Sequence, residues 1–405
     1  MNEINFIINN LKTSGGRNED VTLFNRDAAC TVRNFHKSFP QYKPTPLHNL
    51  SSLAGELGVA SIRVKDESYR FGLNAFKVLG GSYATGSYLA KQLGVPLSEL
   101  SFEKLRSGEI REQIGEITLV TATDGNHGRG VAWAARELGQ KSVVFMPRGS
   151  SPVRLQNIRK EGADASITDM NYDDTVRMAA KYAGDNNGII VQDTTWEGYT
   201  EIPLWIMQGY LTIIDEVMEQ LDSEGDGPPT HVFLQAGVGS FAAAVQGYLQ
   251  SCFGEECPFT IVVEPLDAAC FYESAGAGDG KPRAVGGFMN SIMAGLCCGE
   301  PSIIAWDILR DYADLFISCS DEIAAKGMRI LGNPLRPDPA VVSGESGAVG
   351  IGLLSSIIKD KNNRELFSAM KLDKDSRILV ISTEGDTDPE NYRKIVWDGA
   401  FPSVD

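Results

Sequence analysis

The sequence predicts an α/β protein of two domains, each an open, mostly parallel twisted sheet flanked by helices. Apolar strand-like runs and amphipathic stretches alternate between residues 117 and 192, as they do in parallel sheets built from βαβ units. A strand, a glycine turn and a helix follow again over residues 231–249. The chain of 405 residues exceeds a single core, and its 42% apolar content can fill two.

The composition argues against several classes of function. The chain has 37 basic and 53 acidic residues, a net charge of −16, and no basic run interleaved with aromatic residues. Nucleic acid and anionic membranes are therefore poor candidate partners. The first thirty residues contain no apolar core, and the longest apolar runs elsewhere, such as residues 202–217, carry Gln208, Gly209 and Asp215, so we expect no secretion signal and no membrane span.

The cysteines and histidines indicate neither a disulfide framework nor a metal site. The seven cysteines show no CxxC spacing, and the four histidines show no metal-ligand spacing. A reducing cytoplasm and the absence of a metal are the expectation. The adjacent Cys297 and Cys298 are compatible with burial as small side chains or with redox activity, and burial is favoured.

Lys77 is the candidate reactive residue. It lies among apolar side chains between Phe71 and Leu79, and Gly80-Gly81, where a backbone can approach a ligand closely, follow this stretch. An apolar pocket would lower the pKa of Lys77 and favour Schiff-base chemistry. The alternative is a lysine that extends from an amphipathic helix to water. Because residues 61–65 alternate like a strand, Lys77 is expected on or beside the helix that follows.

The remaining elements follow from hydrophobic periodicity and turn residues. The polar first fifty residues, with a proline-rich turn at 43–46, predict an extended arm. The predicted strands are 117–123, 142–146, 164–167, 189–192, 231–236, 260–263 and 377–381. The predicted helices are 131–138, 151–160, 172–182, a long one over 202–217, 241–249 and 349–358. Polar turns at 124–128, 343–348 and 382–386 should meet at one cleft, because ligands bind at the carboxyl ends of parallel strands.

The glycine turn at residues 237–240 joins a strand to a helix N-terminus. Free backbone N–H groups and the positive end of the helix dipole can hold a phosphate there. A plain tight turn is the alternative, since a GxG pattern alone is weak evidence.

Taken together, the segments from about Val64 to Asp388 resemble the fold type II pyridoxal-phosphate enzymes. The similar motifs are Ala75-Phe76-Lys77 (the Schiff-base lysine), Thr123-Asp124-Gly125-Asn126-His127 (the asparagine loop), Gly237-Val238-Gly239-Ser240 (the phosphate cradle) and Ser382 with Gly385-Asp386 (the turn under the pyridine nitrogen). In closer detail the chain is similar to the ammonia-lyases that cleave 2,3-diaminopropionate, through residues 65–68, 71–77, 124–130, 192–194 and 382–388.

The resemblance implies a role for each matching residue. Pyridoxal 5'-phosphate would be held as a Schiff base by Lys77, with Asn126 reaching the ring hydroxyl. The phosphate would lie on Gly237, Val238, Gly239, Ser240 and Phe241. Either Ser382 or Thr383 would contact the ring nitrogen. Because a neutral hydroxyl, unlike a carboxylate, leaves that nitrogen less protonated, the ring would accept electrons only moderately. Glu345 would help to position the cofactor, unless it is an exposed acidic residue at a helix start.

Asp124 and Asp193 are the candidate catalytic carboxylates beside Lys77. Related serine and threonine dehydratases carry a small residue where this chain has Asp124. Expelling an amine from Cβ requires proton delivery, and a side-chain ammonium requires a nearby negative charge. Asp193 would orient the substrate or raise the pKa of Asp124 by like-charge proximity. Their structural alternatives are a helix cap for Asp124 and a turn hydrogen bonder for Asp193, and His127 is favoured as a structural hydrogen bonder.

The function implied is α,β-elimination of D- and L-2,3-diaminopropionate to pyruvate and two ammonia through aminoacrylate. Lys77 and Asp124 would each take the Cα proton of one enantiomer. The alternatives are a serine or threonine dehydratase of the same fold, a non-catalytic cofactor-binding regulatory protein and, more distantly, a nucleotide-binding protein. The family implies a homodimer, with a large domain of residues 1–85 and 205–405, a smaller inserted domain of residues 86–204, and the active site between them.

Overall fold

The computed structural model describes residues 3–13, 19–287 and 289–402, and it contains a seven-stranded and a four-stranded sheet. The strands are β1 (Ile4–Ile8), β2 (Leu47–Asn49), β3 (Ser61–Asp66), β4 (Thr118–Ala122), β5 (Lys141–Met146), β6 (Asp164–Ile167), β7 (Ile189–Ile190), β8 (His231–Gln235), β9 (Phe259–Pro265), β10 (Leu315–Cys319) and β11 (Arg377–Ser382). The large sheet has the order β1-β10-β9-β8-β11-β3-β2, and the small sheet has the order β6-β5-β4-β7.

Helices cover the faces of both sheets. They are α1 (Arg26–Lys37), α2 (Ser51–Leu57), α3 (Val78–Leu93), α4 (Phe102–Leu105), α5 (Gly108–Ile114), α6 (Asn126–Glu137), α7 (Pro152–Lys160), α8 (Tyr172–Asp185), α9 (Glu201–Gly209), α10 (Leu211–Glu224), α11 (Ser240–Phe253), α12 (Cys270–Ala277), α13 (Ile303–Tyr312), α14 (Asp321–Gly332), α15 (Glu345–Lys359), α16 (Arg364–Ala369) and α17 (Pro389–Val396). Short 3-10 turns lie at Glu19–Phe24, Glu67–Gly72, Leu97–Glu99, Gly254–Glu256, Leu266–Ala268, Ala294–Leu296 and Lys361–Asn363. Within the described ranges, none of these helices is long and apolar enough to cross a membrane.

Parallel pairing dominates both sheets, which confirms the predicted fold class. In the large sheet, β10, β9, β8, β11 and β3 run parallel, while the edge strands β1 and β2 are antiparallel to their neighbours. All pairs of the small sheet are parallel. The carboxyl ends of the parallel strands therefore gather at one edge of each sheet, which is where α/β proteins bind ligands.

Side chains on the central strands of the large sheet alternate between two buried clusters. In β8, Val232 and Leu234 belong to one cluster, and Phe233 belongs to the other. In β11, Leu379 packs on the first side and Val380 on the second. Because helices cover both faces, the interior positions of these strands are apolar, as expected for parallel sheets.

The prediction of an extended N-terminal arm is wrong over Arg26–Lys37, which is helix α1. Asn25 caps this helix by accepting the backbone N–H of Ala28 at 2.8 Å. Its buried face repeats at helical spacing through Ala29, Val32 and His36. Strand β1 pairs with β10, and β10 was not predicted from the sequence.

The single long helix predicted over residues 202–217 is also wrong, because the chain forms α9 and α10 with a break at Tyr210. Gly209 lies directly on α3, where a Cβ atom would come within 2.5 Å of the Leu79 carbonyl oxygen. This close helix contact brings α9 and α3 together at the break, and periodicity alone does not reveal it.

Other boundaries differ by a few residues. Helix α6 begins at Asn126 and α15 at Glu345, so the polar turns before them are shorter than predicted. Strand β7 ends at Ile190, although the sequence predicts a strand to residue 192. The N–H of Gln192 donates to the Tyr199 hydroxyl at 2.9 Å, so this residue leaves the sheet pairing.

Candidate active site

A cavity that opens to solvent lies at the carboxyl ends of strands from both sheets. The candidate residues that line it are Lys77, Asp124, Asn126, Asp193, the segment 237–241 and Thr383. The structure therefore brings together the lysine, the glycine turn and all three predicted polar turns, with the 343–348 turn contributing Ser346.

Contacts with the end of β11 position Lys77 at the start of α3. The backbone N–H of Phe76 donates to the Thr383 carbonyl oxygen at 3.1 Å, and Ala75 forms an isolated β-bridge with Glu384. Asn74 has a left-handed backbone, with φ of +60°, which turns the chain into the helix. Lys77 is thereby held with its side chain 18% exposed at the cavity wall.

The expected lowering of the pKa of Lys77 is wrong for this state of the protein. Burial alone would lower that pKa, but Lys77 forms a hydrogen-bonded ion pair with Asp193. The nearby negative charge favours the ammonium form more than burial disfavours it, so the pKa of Lys77 is raised.

Asp193 lies in the loop after β7, and its side chain is only 3% exposed. Burial would raise the pKa of its carboxyl group, but the neighbouring His127 and Lys77 lower it to about 2. The Asp193 carboxylate lies 3.8 Å from Nδ1 of His127, and Nε2 of His127 bonds the Val191 carbonyl oxygen at 2.8 Å. That hydrogen bond agrees with a structural role for His127.

Asp124 follows β4 and faces the cavity with its side chain 25% exposed. Burial and the Glu384 carboxylate raise the pKa of Asp124, while the Arg154 guanidinium, at 3.2 Å, opposes that rise. Asp193 also raises this pKa, as expected from like-charge proximity, but its effect is smaller.

The alternative role of Asp124 as a helix cap is wrong, because Thr123 serves the start of α6. The Thr123 hydroxyl accepts the backbone N–H of Gly125 at 2.9 Å and that of Gly128 at 3.1 Å. Since these donors are satisfied by Thr123, the Asp124 carboxylate is left to pair with Arg154 and face the cavity.

The glycine turn lies between β8 and α11 on the cavity wall. Gly239 has φ of +88°, and a Cβ atom there would come 2.2 Å from the ring of Phe271. No side chain caps the start of α11. Its first backbone N–H groups and the positive end of its dipole are thus available to a phosphate.

Several buried polar atoms on the cavity wall have no hydrogen-bond partner within the described part of the chain. They are Nδ1 of His127, Oγ of Ser346 and Oε1 of Glu384. Buried polar atoms are nearly always hydrogen bonded, so these three unpaired atoms indicate that a polar ligand binds here. The set, with an amine and a phosphate site on the same wall, fits a phosphate-bearing aldehyde cofactor.

The structure separates the two candidates for contact with a ring nitrogen. Thr383 lines the cavity, and its hydroxyl accepts from the Gln235 side chain at 2.9 Å. Ser382 is fully buried and donates to the Ser343 hydroxyl at 2.8 Å. This placement favours Thr383.

Glu345 is neither exposed nor on the wall of this cavity. It is buried at the start of α15, accepts a hydrogen bond from Asn391 and lines an adjoining outer cavity that also reaches Asp124. Burial and Glu384 raise the pKa of Glu345 to about 7. The alternative of an exposed helix-start residue is therefore wrong.

Sequence reasoning missed part of the cavity wall. Asn126 donates to the Glu384 side chain, although no role was predicted for Glu384. Tyr172, Gln235 and residues 294–298 also line the cavity. The only signal for the last segment was the pair of cysteines beside two glycines; Cys298 is buried, Cys297 is half-buried and both are free thiols.

This chain belongs to the family of pyridoxal-phosphate dependent enzymes, whose family model matches residues 39–384. The predicted family and its cofactor, pyridoxal phosphate, are thereby confirmed. Diaminopropionate ammonia-lyase of Salmonella typhimurium strain LT2 is 52% identical over 398 residues, which cover 98% of each chain.

Solved structures of an Escherichia coli protein show the same likeness. Diaminopropionate ammonia lyase in complex with D-serine has a TM-score of 0.92 and 47% identity, covering 99% of this chain and 98% of that chain. The same enzyme with an aminoacrylate-PLP azomethine reaction intermediate has a TM-score of 0.90 and 46% identity, with equal coverage. The fold of this chain is therefore that of these solved structures.

Proposed function

We propose that this protein is a pyridoxal-phosphate dependent carbon–nitrogen lyase that converts D- and L-2,3-diaminopropionate to pyruvate and two ammonia. One observation carries the proposal: Asp124 and Asp193 share a cavity with Lys77. The 52% identity to a diaminopropionate ammonia-lyase over 98% of both chains supports the same reaction.

Bound pyridoxal phosphate supplies an aldehyde carbon for the amines of the enzyme and the substrate, and a ring that accepts the electrons released at Cα. Lys77 would hold it covalently, and the backbone N–H groups at the start of α11 would hold its phosphate. Asn126 and Thr383 would make the polar contacts to its ring. Each of these residues lies on the cavity wall.

Asp193 acts as the permanent negative charge of the site. Its pKa of about 2 keeps it ionised at neutral pH. It stabilises the ammonium of Lys77 when that amine is free, as the ion pair shows. We infer that, with substrate bound, Asp193 pairs instead with the substrate's Cβ ammonium, which leaves Lys77 as the neutral amine that a base requires.

Asp124 acts as the carboxyl group that exchanges protons. Its raised pKa lets the carboxyl group take up a proton and release it closer to neutral pH than an ordinary aspartate can. We infer that Lys77 removes the Cα proton of one enantiomer and Asp124 that of the other. Proton delivery to the departing amine allows it to leave as ammonia, and water then hydrolyses the released aminoacrylate to pyruvate and the second ammonia.

We also propose the two-domain division into residues 1–85 with 205–405 and residues 86–204, with the cavity between the domains. All strands of the large sheet fall in the first set, and all strands of the small sheet fall in the second. A homodimer is the oligomeric state we propose from the family, and the mass of the purified protein in solution tests it.

The decisive experiment measures pyruvate and ammonia from each enantiomer of 2,3-diaminopropionate with the purified, cofactor-loaded protein. We expect two ammonia per pyruvate from both enantiomers. D- and L-serine are the controls, because a dehydratase of this fold would release one ammonia per pyruvate from them. Turnover of serine without turnover of diaminopropionate would overturn the proposal in favour of a dehydratase.

The Asp124→Asn variant tests the assignment of the two bases. We expect it to impair one enantiomer much more than the other, by a factor of about 10² to 10⁴, the usual contribution of a general base. Equal impairment of both enantiomers would contradict the assignment while leaving the overall reaction intact.

A further inference from the structure

Arg154 lies in the first turn of α7, between the asparagine loop and the turn after β11. Its side chain is 8% exposed. One guanidinium nitrogen, Nη1, donates to the Asp124 carboxylate at 3.2 Å, and the other, Nη2, donates to the Thr387 hydroxyl at 3.4 Å. No sequence motif indicated this residue.

The aliphatic part of Arg154 supports the same loop. A Cβ atom at Gly125 would come 2.9 Å from Cδ of Arg154 and 3.4 Å from its Cβ and Cγ, so the arginine stem packs against the Gly125 backbone. Gly125 lies between Asp124 and Asn126, whose side chains both line the cavity. Arg154 therefore contacts the loop through its charge and through its methylene groups.

The charge of Arg154 faces four carboxylates: Glu384, Asp124, Glu345 and Asp388. Three of them have neutral hydrogen-bond donors. Glu384 accepts from Asn126, Glu345 from Asn391 and Asp388 from the Ser151 hydroxyl. Asp124, in contrast, forms an ion pair with the Arg154 guanidinium.

We propose that Arg154 is a positioning residue for the elimination: its guanidinium aims the Asp124 carboxylate into the cavity and sets how readily that carboxylate takes a proton. The inference rests on the proposed function of Asp124. It goes further because it assigns the orientation and protonation of Asp124 to Arg154 on α7. Arg154 does not line the inner cavity and acts through Asp124.

The direction of the effect follows from the charges around Asp124. Arg154 and Lys77 lower its pKa, while burial, Glu384 and Asp193 raise it. Tyr172 on α8 and the two cysteines of the 294–298 segment also lie within its electrostatic reach. Loss of the Arg154 charge removes the largest opposing influence, so the pKa of Asp124 rises further and its base form becomes scarce at lower pH.

The experiment measures pH–rate profiles for both enantiomers with Arg154→Gln, Arg154→Lys and Asp124→Asn. For the enantiomer that depends on Asp124, Arg154→Gln should lower kcat about tenfold or more and move the acidic limb of the profile about one pH unit upward. Arg154→Lys keeps the positive charge, so its kcat and the position of its acidic limb should lie closer to those of wild type than the values for Arg154→Gln. Arg159→Gln, at an exposed arginine of the same helix, should leave the profile unchanged.

A double variant separates positioning from general structural damage. If Arg154 acts through Asp124, then Arg154→Gln should add less than about twofold to the loss already caused by Asp124→Asn. Full additivity, or an unmoved acidic limb, would overturn the inference. If Arg154→Gln does not fold, as judged by circular dichroism, the same cycle with Arg154→Lys decides. Failure of the wild-type protein to cleave diaminopropionate would instead refute the proposed function.

Discussion

Lys65 and Lys77 each pair with a buried carboxylate, but Lys65 is fully buried and Lys77 is half-buried. The Lys65 side chain is 0% exposed, and its ammonium donates to the Thr45 carbonyl, to Glu216 and to Gln220 at 2.8, 2.7 and 2.9 Å. All three of its N–H donors are therefore used. Lys77 pairs with Asp193 and lines the cavity.

The network around Lys65 is closed. Arg70 donates to both Glu67 and Glu216, and these side chains are fully buried. Within the described residues, unpaired buried polar atoms are absent from this network, whereas three line the cavity beside Lys77. A buried charge therefore does not by itself indicate a functional site. Buried polar atoms without hydrogen-bond partners near that charge do indicate one.

The largest expected effect separates the two lysines by activity. Lys77→Met should lower kcat by more than about a thousandfold, because the amine that holds the cofactor is lost. Pyruvate release and the visible absorbance of the bound cofactor measure this. If Lys77→Met retained activity within tenfold of wild type, Lys77 would not be the lysine that holds the cofactor.

The matched substitution at the other site should act on stability. Lys65→Met should lower the free energy of unfolding by about 3 kcal/mol, because it breaks a fully buried charge network. Urea unfolding of both methionine variants measures the difference, and the loss should be smaller for Lys77→Met because water can enter its cavity. The folded fraction of Lys65→Met should keep kcat within a few-fold of wild type. An unchanged urea midpoint would argue that the network is dispensable.

The next prediction concerns the pH dependence of stability. It involves His36, whose pKa is affected by Arg70 of the network around Lys65. His36 is buried, with Nδ1 bonded to Thr212 at 2.7 Å and Nε2 to the Leu79 carbonyl at 3.1 Å. Burial, helped by the positive charge of Arg70, lowers the pKa of His36 to about 3. The unfolded chain binds a proton at about 6.5, so between these values the unfolded state holds more protons and stability falls as the pH falls.

We therefore expect wild type to lose about 2 kcal/mol of unfolding free energy from His36 between about pH 7 and about pH 5. His36→Gln should flatten that part of the slope, as urea unfolding at the two pH values would show. The acidic limb of the activity profile should not move, because Asp124 controls it. A slope that persists in His36→Gln would place the titrating group elsewhere.

The smallest expected effect compares two adjacent hydroxyl residues. Thr383→Val should weaken cofactor binding a few-fold and shift its absorbance, because Thr383 lines the cavity. Ser382→Ala should leave the absorbance unchanged and cost about 1 kcal/mol of stability, through loss of its hydrogen bond with Ser343. Titration with pyridoxal phosphate distinguishes them, and the reverse pattern would return the ring contact to Ser382.

Much of the fold was predictable because its signals are local. The alternation of strands and helices over residues 117–192 and the strand, glycine turn and helix around β8 lie within short windows of sequence. Helix α1 was missed although its signals are also local: the Asn25 cap and a buried face at helical spacing. The break at Tyr210 was missed because it comes with the contact of Gly209 with Leu79, far away in the chain.

The sequence by itself determined the chemistry available: a lysine before a glycine pair, two aspartates after strands, and a helix start able to hold phosphate. Tertiary structure decided which groups meet. Residues 294–298 join the cavity because Gly237 lets them approach to 3.1 Å of its Cβ position. The pKa of Lys77 rises because folding brings Asp193 into hydrogen-bond contact. Coulomb interactions depend on distance in space, which residue types and spacing along the chain do not specify.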